Sequence, residues 1–226
     1  MSTTSAPLHG PGLTDVRGMI MAHDAFRWSL LPAPALVRAV EPGDLRRARV
    51  VARHVETILA VLEGHHTSED ELLWPRLLER VPDELAPVVH LMESQHEQVH
   101  EHLEQTLALL PRWRAGATAA DRDGLGAAVE ALVEVLTEHM AAEERHVLPL
   151  AARSVSEAEW SEVGERGIRK IPLGFLPTAF GIMRHVGDPD VVAADLAKAP
   201  PPIRLWLRLT SDRAFRRYAA DVGIVA

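Results

Sequence analysis

An eleven-residue pattern occurs twice in this chain. It reads His65-His-Thr-Ser-Glu69-Asp-Glu-Leu-Leu-Trp-Pro75 and then His139-Met-Ala-Ala-Glu143-Glu-Arg-His-Val-Leu-Pro149. Each copy is His-x3-Glu with a proline ten residues after the histidine. The repeat extends upstream, because His23 precedes His65 by 42 residues and His96 precedes His139 by 43. One helix-loop-helix unit therefore appears twice, with a histidine on its first helix and His-x3-Glu on its second. On an α-helix, residues four apart share a face about one turn apart. Two such units folded face to face would aim four imidazoles and two carboxylates at one place. An unpaired His or Glu in an apolar core costs several kcal/mol, so inward placement makes sense if metal compensates.

The stretches between these residues carry long apolar stripes of helical period. Helix A is expected over about 15–30, capped by Thr14, with Ile20, His23, Phe26 and Leu30 on one face. Helix B follows Asp44 with Val51, Val55, Ile58, Leu62, His65, Glu69, Leu72 and Leu73, and Pro75 ends or bends it. Helix C follows the Val81-Pro-Asp83 break, with Val88, Val89, Met92, His96, Val99, Leu103, Leu107 and Leu110, and residues 111–121 read as a loop. Helix D runs from about Arg122 to Leu148. The fold class is all-α: an antiparallel up-down-up-down four-helix bundle over 14–152, with a C-terminal helical extension over 153–226. Residues 1–13, rich in Ser, Thr, Pro and Gly, read as a disordered arm.

In the extension, Ser156 and Glu159 form a capping box, and residues 171–177 look irregular. A helix is expected over about 190–197. After Pro200–Pro202 comes a basic helix with Arg204, Arg208, Arg213, Arg216 and Arg217, giving residues 203–226 a charge of +3 against −11 for the remainder. That helix could cover the bundle or meet a protein partner.

Composition narrows the chemistry. With no cysteine, thiolate sites, iron–sulfur clusters and disulfides are excluded. Imidazole and carboxylate donors without sulfur suit iron, manganese or zinc. Nine of the twelve histidines fall within residues 54–146. Six inward donors overfill one tetrahedral site, which points to two ions with Glu69 and Glu143 able to bridge them. A net charge of −8 argues against nucleic-acid binding. No apolar run is long enough to span a membrane, and the expected location is cytoplasmic. His54, lone on its apolar face, reads as a core histidine, and His66 as a surface or supporting residue. The second acids, Asp70 and Glu144, read as solvated or as tethers for a ligand histidine.

These motifs, with Met21-Ala-His23-Asp-Ala-Phe-Arg27 and Ser94-Gln-His96-Glu-Gln, resemble the hemerythrin-like (HHE cation-binding) family over about residues 15–152. The resemblance implies a bundle around two non-haem iron ions sharing an oxo or hydroxo bridge, with zinc or manganese as weaker fits. By position it implies His23, His65, Glu69, His96, His139 and Glu143 as ligands. His96 and His100 reproduce the His-x3-His that oxygen carriers have on helix C, which adds His100 as a possible ligand. The carriers' helix D pair is His-x4-Asp, whereas this chain has His139-x3-Glu143, which loosens the inference to reversible oxygen carriage. The implied function is binding, sensing or detoxification of O2, peroxide or nitric oxide. Any enzyme activity would be a peroxide-consuming oxidoreductase. The alternatives are a non-catalytic iron- or oxygen-responsive regulatory module and a zinc-binding structural bundle.

Overall fold

The computed structural model describes residues 7–225, apart from the side chains of Glu84, Leu85 and Val89. Residues 1–6 of the expected arm, and Val89 of the expected helix C stripe, thus lie outside the described residues. Among the described residues there are helices and no β-strand. In order they are α1 (Arg17–Leu30), α2 (Ala33–Arg38), α3 (Leu45–Ser68), a π turn (Glu69–Leu73), α4 (Trp74–Arg80), α5 (Pro82–Gly116), α6 (Ala119–His146) and α7 (Leu148–Ser154). The C-terminal part holds α8 (Glu157–Ile168), α9 (Leu176–Val186), α10 (Pro189–Lys198) and α11 (Pro201–Val222).

Local chemistry sets most of these ends. The Asp44 carboxylate accepts the Arg47 N–H to start α3, and the Thr118 hydroxyl accepts the Asp121 N–H to start α6. Ser156 and Glu159 make the expected capping box on α8. Four expectations need correction. Thr14 does not cap α1; its hydroxyl donates to the Val155 carbonyl at 2.5 Å, and α1 begins at Arg17. Asp83 does not cap the third long helix, since Pro82 already occupies its first position, where a missing N–H costs nothing. Residues 111–116 are helical, not loop: Pro111 sits inside α5, and the fully buried Trp113 anchors the turn beyond it. The helix then ends at Ala117 in a left-handed conformation, φ 44°. Finally α9 fills a segment read as irregular at its start and unassigned beyond. Its residues are apolar almost all round and include Pro177 and Gly181, so no periodic stripe marks it.

Two apolar clusters lie in the first 163 residues, with the histidine-rich motifs between them. One holds Phe26, Leu62, Val99, Leu136 and Met140; the other holds Met19, Leu73, Met92, Val147 and Trp160. Along α1 and α5 the chain passes from the second cluster, through His23 or His96, to the first. Along α3 into the π turn, and along α6 into α7, it passes from the first, past His65 or His139, to the second. The π turn adds one residue after Glu69, so Leu73 and Trp74 are buried while Leu72 is only partly so. That departs from the expected stripe, and π turns of this kind gather at functional sites.

The C-terminal helices dock through apolar faces. α9 and α11 approach closely at Gly181, where a Cβ would stand 2.6 Å from Phe215 Cβ and 2.7 Å from the Ser211 carbonyl oxygen. The buried Phe215 and Ala219 of α11 pack there with Ile182. The arginines of α11 do not carry this docking, as Arg208, Arg213 and Arg216 are exposed. The tie to α3 is made instead by Arg47, whose guanidinium donates to the Asp221 and Val222 carbonyls, and by Tyr218 on His54.

Candidate metal centre

Six of the seven sequence-predicted ligands come together. His23, His65, Glu69 and Glu143 form one set, and His66, Glu69, His96 and His139 a second. Within each set, one donor atom per residue lies within 4.8 Å of the others. Glu69 belongs to both. Its Oε1 is 3.1 Å from His65 Nε2 and its Oε2 is 3.6 Å from His96 Nε2, so the two oxygens face opposite sets. Glu143 Oε2 stands 3.2 Å from His23 Nε2 and 3.9 Å from His139 Nε2.

The seventh predicted ligand, His100, is not brought in. It lies on the outer side of α5 with its side chain 56% exposed, 3.6 Å from Glu104. His66 stands in the cluster instead, buried, with its ring stacked on His96 at 4.3 Å and edge-on to His139 at 4.9 Å. Its burial overturns the surface half of the expectation that His66 is a surface or supporting residue. A signal existed: His66 precedes Glu69 by three residues, and on a helix both i+3 and i+4 neighbours share a face. Glu69 therefore lies beside both His65 and His66.

The acids that follow each glutamate act as tethers. His23 Nδ1 donates to Glu144 Oε1 at 2.8 Å, and Arg27 holds that same oxygen at 2.7 Å. His96 Nδ1 donates to Asp70 Oδ1 at 2.8 Å. A carboxylate on Nδ1 fixes the tautomer and leaves the Nε2 lone pair pointing at the cluster, an arrangement typical of metal-binding histidines. His54 is different. Its Nε2–H donates to the Ser29 carbonyl at 2.8 Å, and its Nδ1 accepts from the Tyr218 hydroxyl at 2.5 Å.

The electrostatics of the cluster are those of an unmet need. His23, Glu69, His139 and Glu143 are fully buried. The Nε2 atoms of His23, His65, His96 and His139, and both oxygens of Glu69 and of Glu143, have no hydrogen-bond partner; the close approaches above lack hydrogen-bond geometry. Native interiors carry only a few such atoms per hundred residues, and here eight converge on one place. Burial, with the neighbouring carboxylates of Glu143 and Asp70, pushes Glu69 well above the usual carboxylate range. Burial drives His65 and His66 well below the usual imidazole value and His139 to about 3. For His23, burial is outweighed by the hydrogen bond to Glu144 and the nearby negative charge of Glu143 and Glu144, which raise it to about 9. His65, His66 and His139 are thus held neutral, as metal ligands must be, and an ion bound beside Glu143 would displace the proton that His23 holds. The donor set of nitrogen and oxygen without sulfur fits iron, manganese or zinc.

A family model, the hemerythrin HHE cation binding domain, matches residues 14–151. The chain belongs to this family. No curated protein and no solved structure matches the chain. The HHE match and the cluster agree that this is a cation-binding domain whose His and Glu side chains can hold metal. The match stops at residue 151, so α8 to α11 lie outside it. No described helix is long and apolar enough to cross a membrane.

Proposed function

We propose that this HHE domain is a non-haem di-iron centre that binds, senses or detoxifies O2, peroxide or nitric oxide. The observation that carries the proposal is the shared carboxylate. Two sets of donors, each with unmet buried atoms, meet at Glu69, whose oxygens face one set each. One ion would take His23, His65, Glu69 and Glu143, and the other His66, Glu69, His96 and His139. The frame that supports this is an up-down-up-down bundle of α1, α3, α5 and α6. The reversal of apolar cluster order from each of these helices to the next supports that topology.

Iron held in this way supplies a reversible redox couple and coordination positions for a small ligand. The chain's own part is to bury five imidazoles and two carboxylates together and to orient two of those rings, His96 through Asp70 and His23 through Glu144. Phe26, buried with its ring 5.2 Å from His65, walls the centre on one side. Donors as buried as His23, Glu69, His139 and Glu143 suit a small ligand better than a bulky organic substrate.

The test is to load the metal-free chain with ferrous iron without air, then add O2, peroxide or nitric oxide while recording the visible spectrum. The expected result is a ligand-dependent charge-transfer spectrum from a protein holding about two irons per chain. A chain that prefers zinc and stays colourless with every oxidant contradicts the proposal.

A further inference from the structure

The cluster is closed on most sides. α9 and α10 lie against α1. α8 lies against α3, and Lys170 packs so tightly on Gly64 that a Cβ there would meet Lys170 Cβ at 2.6 Å. Between α3 and α5, in contrast, a cleft of about 310 Å³ opens to the surface. His66 and His96 line it and also belong to the cluster, so the floor of the cleft is the wall of the metal centre. Both are about nine-tenths buried. His96 Nε2 has no hydrogen-bond partner, and His66 makes ring contacts alone among the described residues.

We infer that this cleft is the port through which divalent metal ions reach the cluster, with Glu63 and Glu97 drawing them in and His100 serving as a passing ligand. The inference rests on the metal-centre reading above. Glu63, Asp70 and Glu97 all line the cleft and all three are exposed, Asp70 being already engaged by His96. A recess lined by one sign of charge focuses the field and raises the arrival rate of counter-ions. Carboxylates alone would be an ordinary acidic surface; here they lead to the unpartnered Nε2 of His96 and to His66, which makes no hydrogen bond among the described residues. His100 lines the same cleft one helical turn from His96, too exposed to join the cluster but placed to hand a cation inward. The His96-x3-His100 spacing is on this account a transfer step and not a pair of permanent ligands.

The experiment uses the full chain stripped of metal and mixed rapidly with Co2+, followed by absorbance. Glu63→Gln with Glu97→Gln, and separately His100→Gln, are expected to slow loading by roughly three- to tenfold at low salt. The final Co2+ content per chain stays that of the unmodified protein. The double variant also loses much of the salt dependence, because the charges it removes are those that added salt screens. A control pair of equal charge change outside the cleft, Glu41→Gln with Glu134→Gln, loads at the unmodified rate. Wild-type rates in the cleft variants, or equal slowing in the control pair, overturn the port. No Co2+ uptake by the unmodified chain overturns the metal-centre reading and the port with it.

Discussion

His54 and His65 face inward from the same helix, α3, eleven residues apart, and their surroundings could hardly differ more. His54 is buried and complete, with one ring nitrogen donating to the Ser29 carbonyl and the other accepting from Tyr218. His65 is surrounded by groups that lack partners as it does: Glu69, Glu143, and the Nε2 atoms of His23, His96 and His139. Burial of a histidine is therefore no mark of a ligand. What separates the two is whether the hydrogen-bonding capacity is spent. His54 spends it on fastening α11 to the bundle, while the cluster holds it in reserve for a cation.

The largest effect that would sharpen this contrast comes from Glu69→Ala. Removing the carboxylate shared by both sets is expected to take metal content from about two ions per chain to below one. The stabilisation that metal gives by mass action goes with it, about 3 to 4 kcal/mol at metal concentrations 100- to 1,000-fold above Kd. Elemental analysis and thermal melts with and without metal check both parts. A variant that keeps two ions would place the ligands elsewhere.

Acid should reveal the His54 side of the comparison. Burial lowers its pKa from 6.5 to about 4, so the folded chain resists a proton that the unfolded chain accepts. Stability from this group is full above pH 6.5 and is lost as pH falls towards 4. At about 1.4 kcal/mol per pH unit, that amounts to about 3 kcal/mol. The measurement is the difference in denaturant stability between metal-free wild type and metal-free His54→Gln from pH 7.5 to 4. A difference that does not change with pH breaks the account of His54.

Asp70→Asn tests the tether and should act on the metal alone. Losing the carboxylate on His96 Nδ1 is expected to weaken metal binding by about 10- to 100-fold, with the metal-free fold unchanged. Competition with a chelator measures the first and melting the second. The smallest effect belongs to Tyr218→Phe. It leaves the His54 Nδ1 buried without its donor, at a cost of about 1 to 2 kcal/mol, and metal content stays at the wild-type level. If metal falls as well, the two assemblies on α3 are not independent.

Much of this was legible in the sequence because two signals reinforced each other. The stripes around Val55, Ile58 and Leu62, and around Leu132 and Leu136, show helical period. The matched spacing of His23, His65, His96 and His139 fixed which positions should meet. Signals that depend on non-local geometry were hidden. The π turn at Glu69–Leu73 changes the register of Leu72 to Trp74, and only packing of the second apolar cluster reveals it. His100 matches a familiar spacing yet points outward, while His66, masked by its neighbour His65, turns inward. Helix α5 continues past Pro111 because Trp113 finds a buried site, which no local propensity announces. The short, nearly all-apolar α9 has no polar face against which a period could be seen.

The central claim is that two ions share Glu69, one of them leaning on His66. The most direct measurement is iron per chain in the wild type, His66→Ala and His100→Ala, each loaded without air and freed of excess metal. The account predicts about two, about one and about two. Two irons in His66→Ala with one in His100→Ala would contradict it, returning the ligand role to the exposed histidine and removing His66 from the centre.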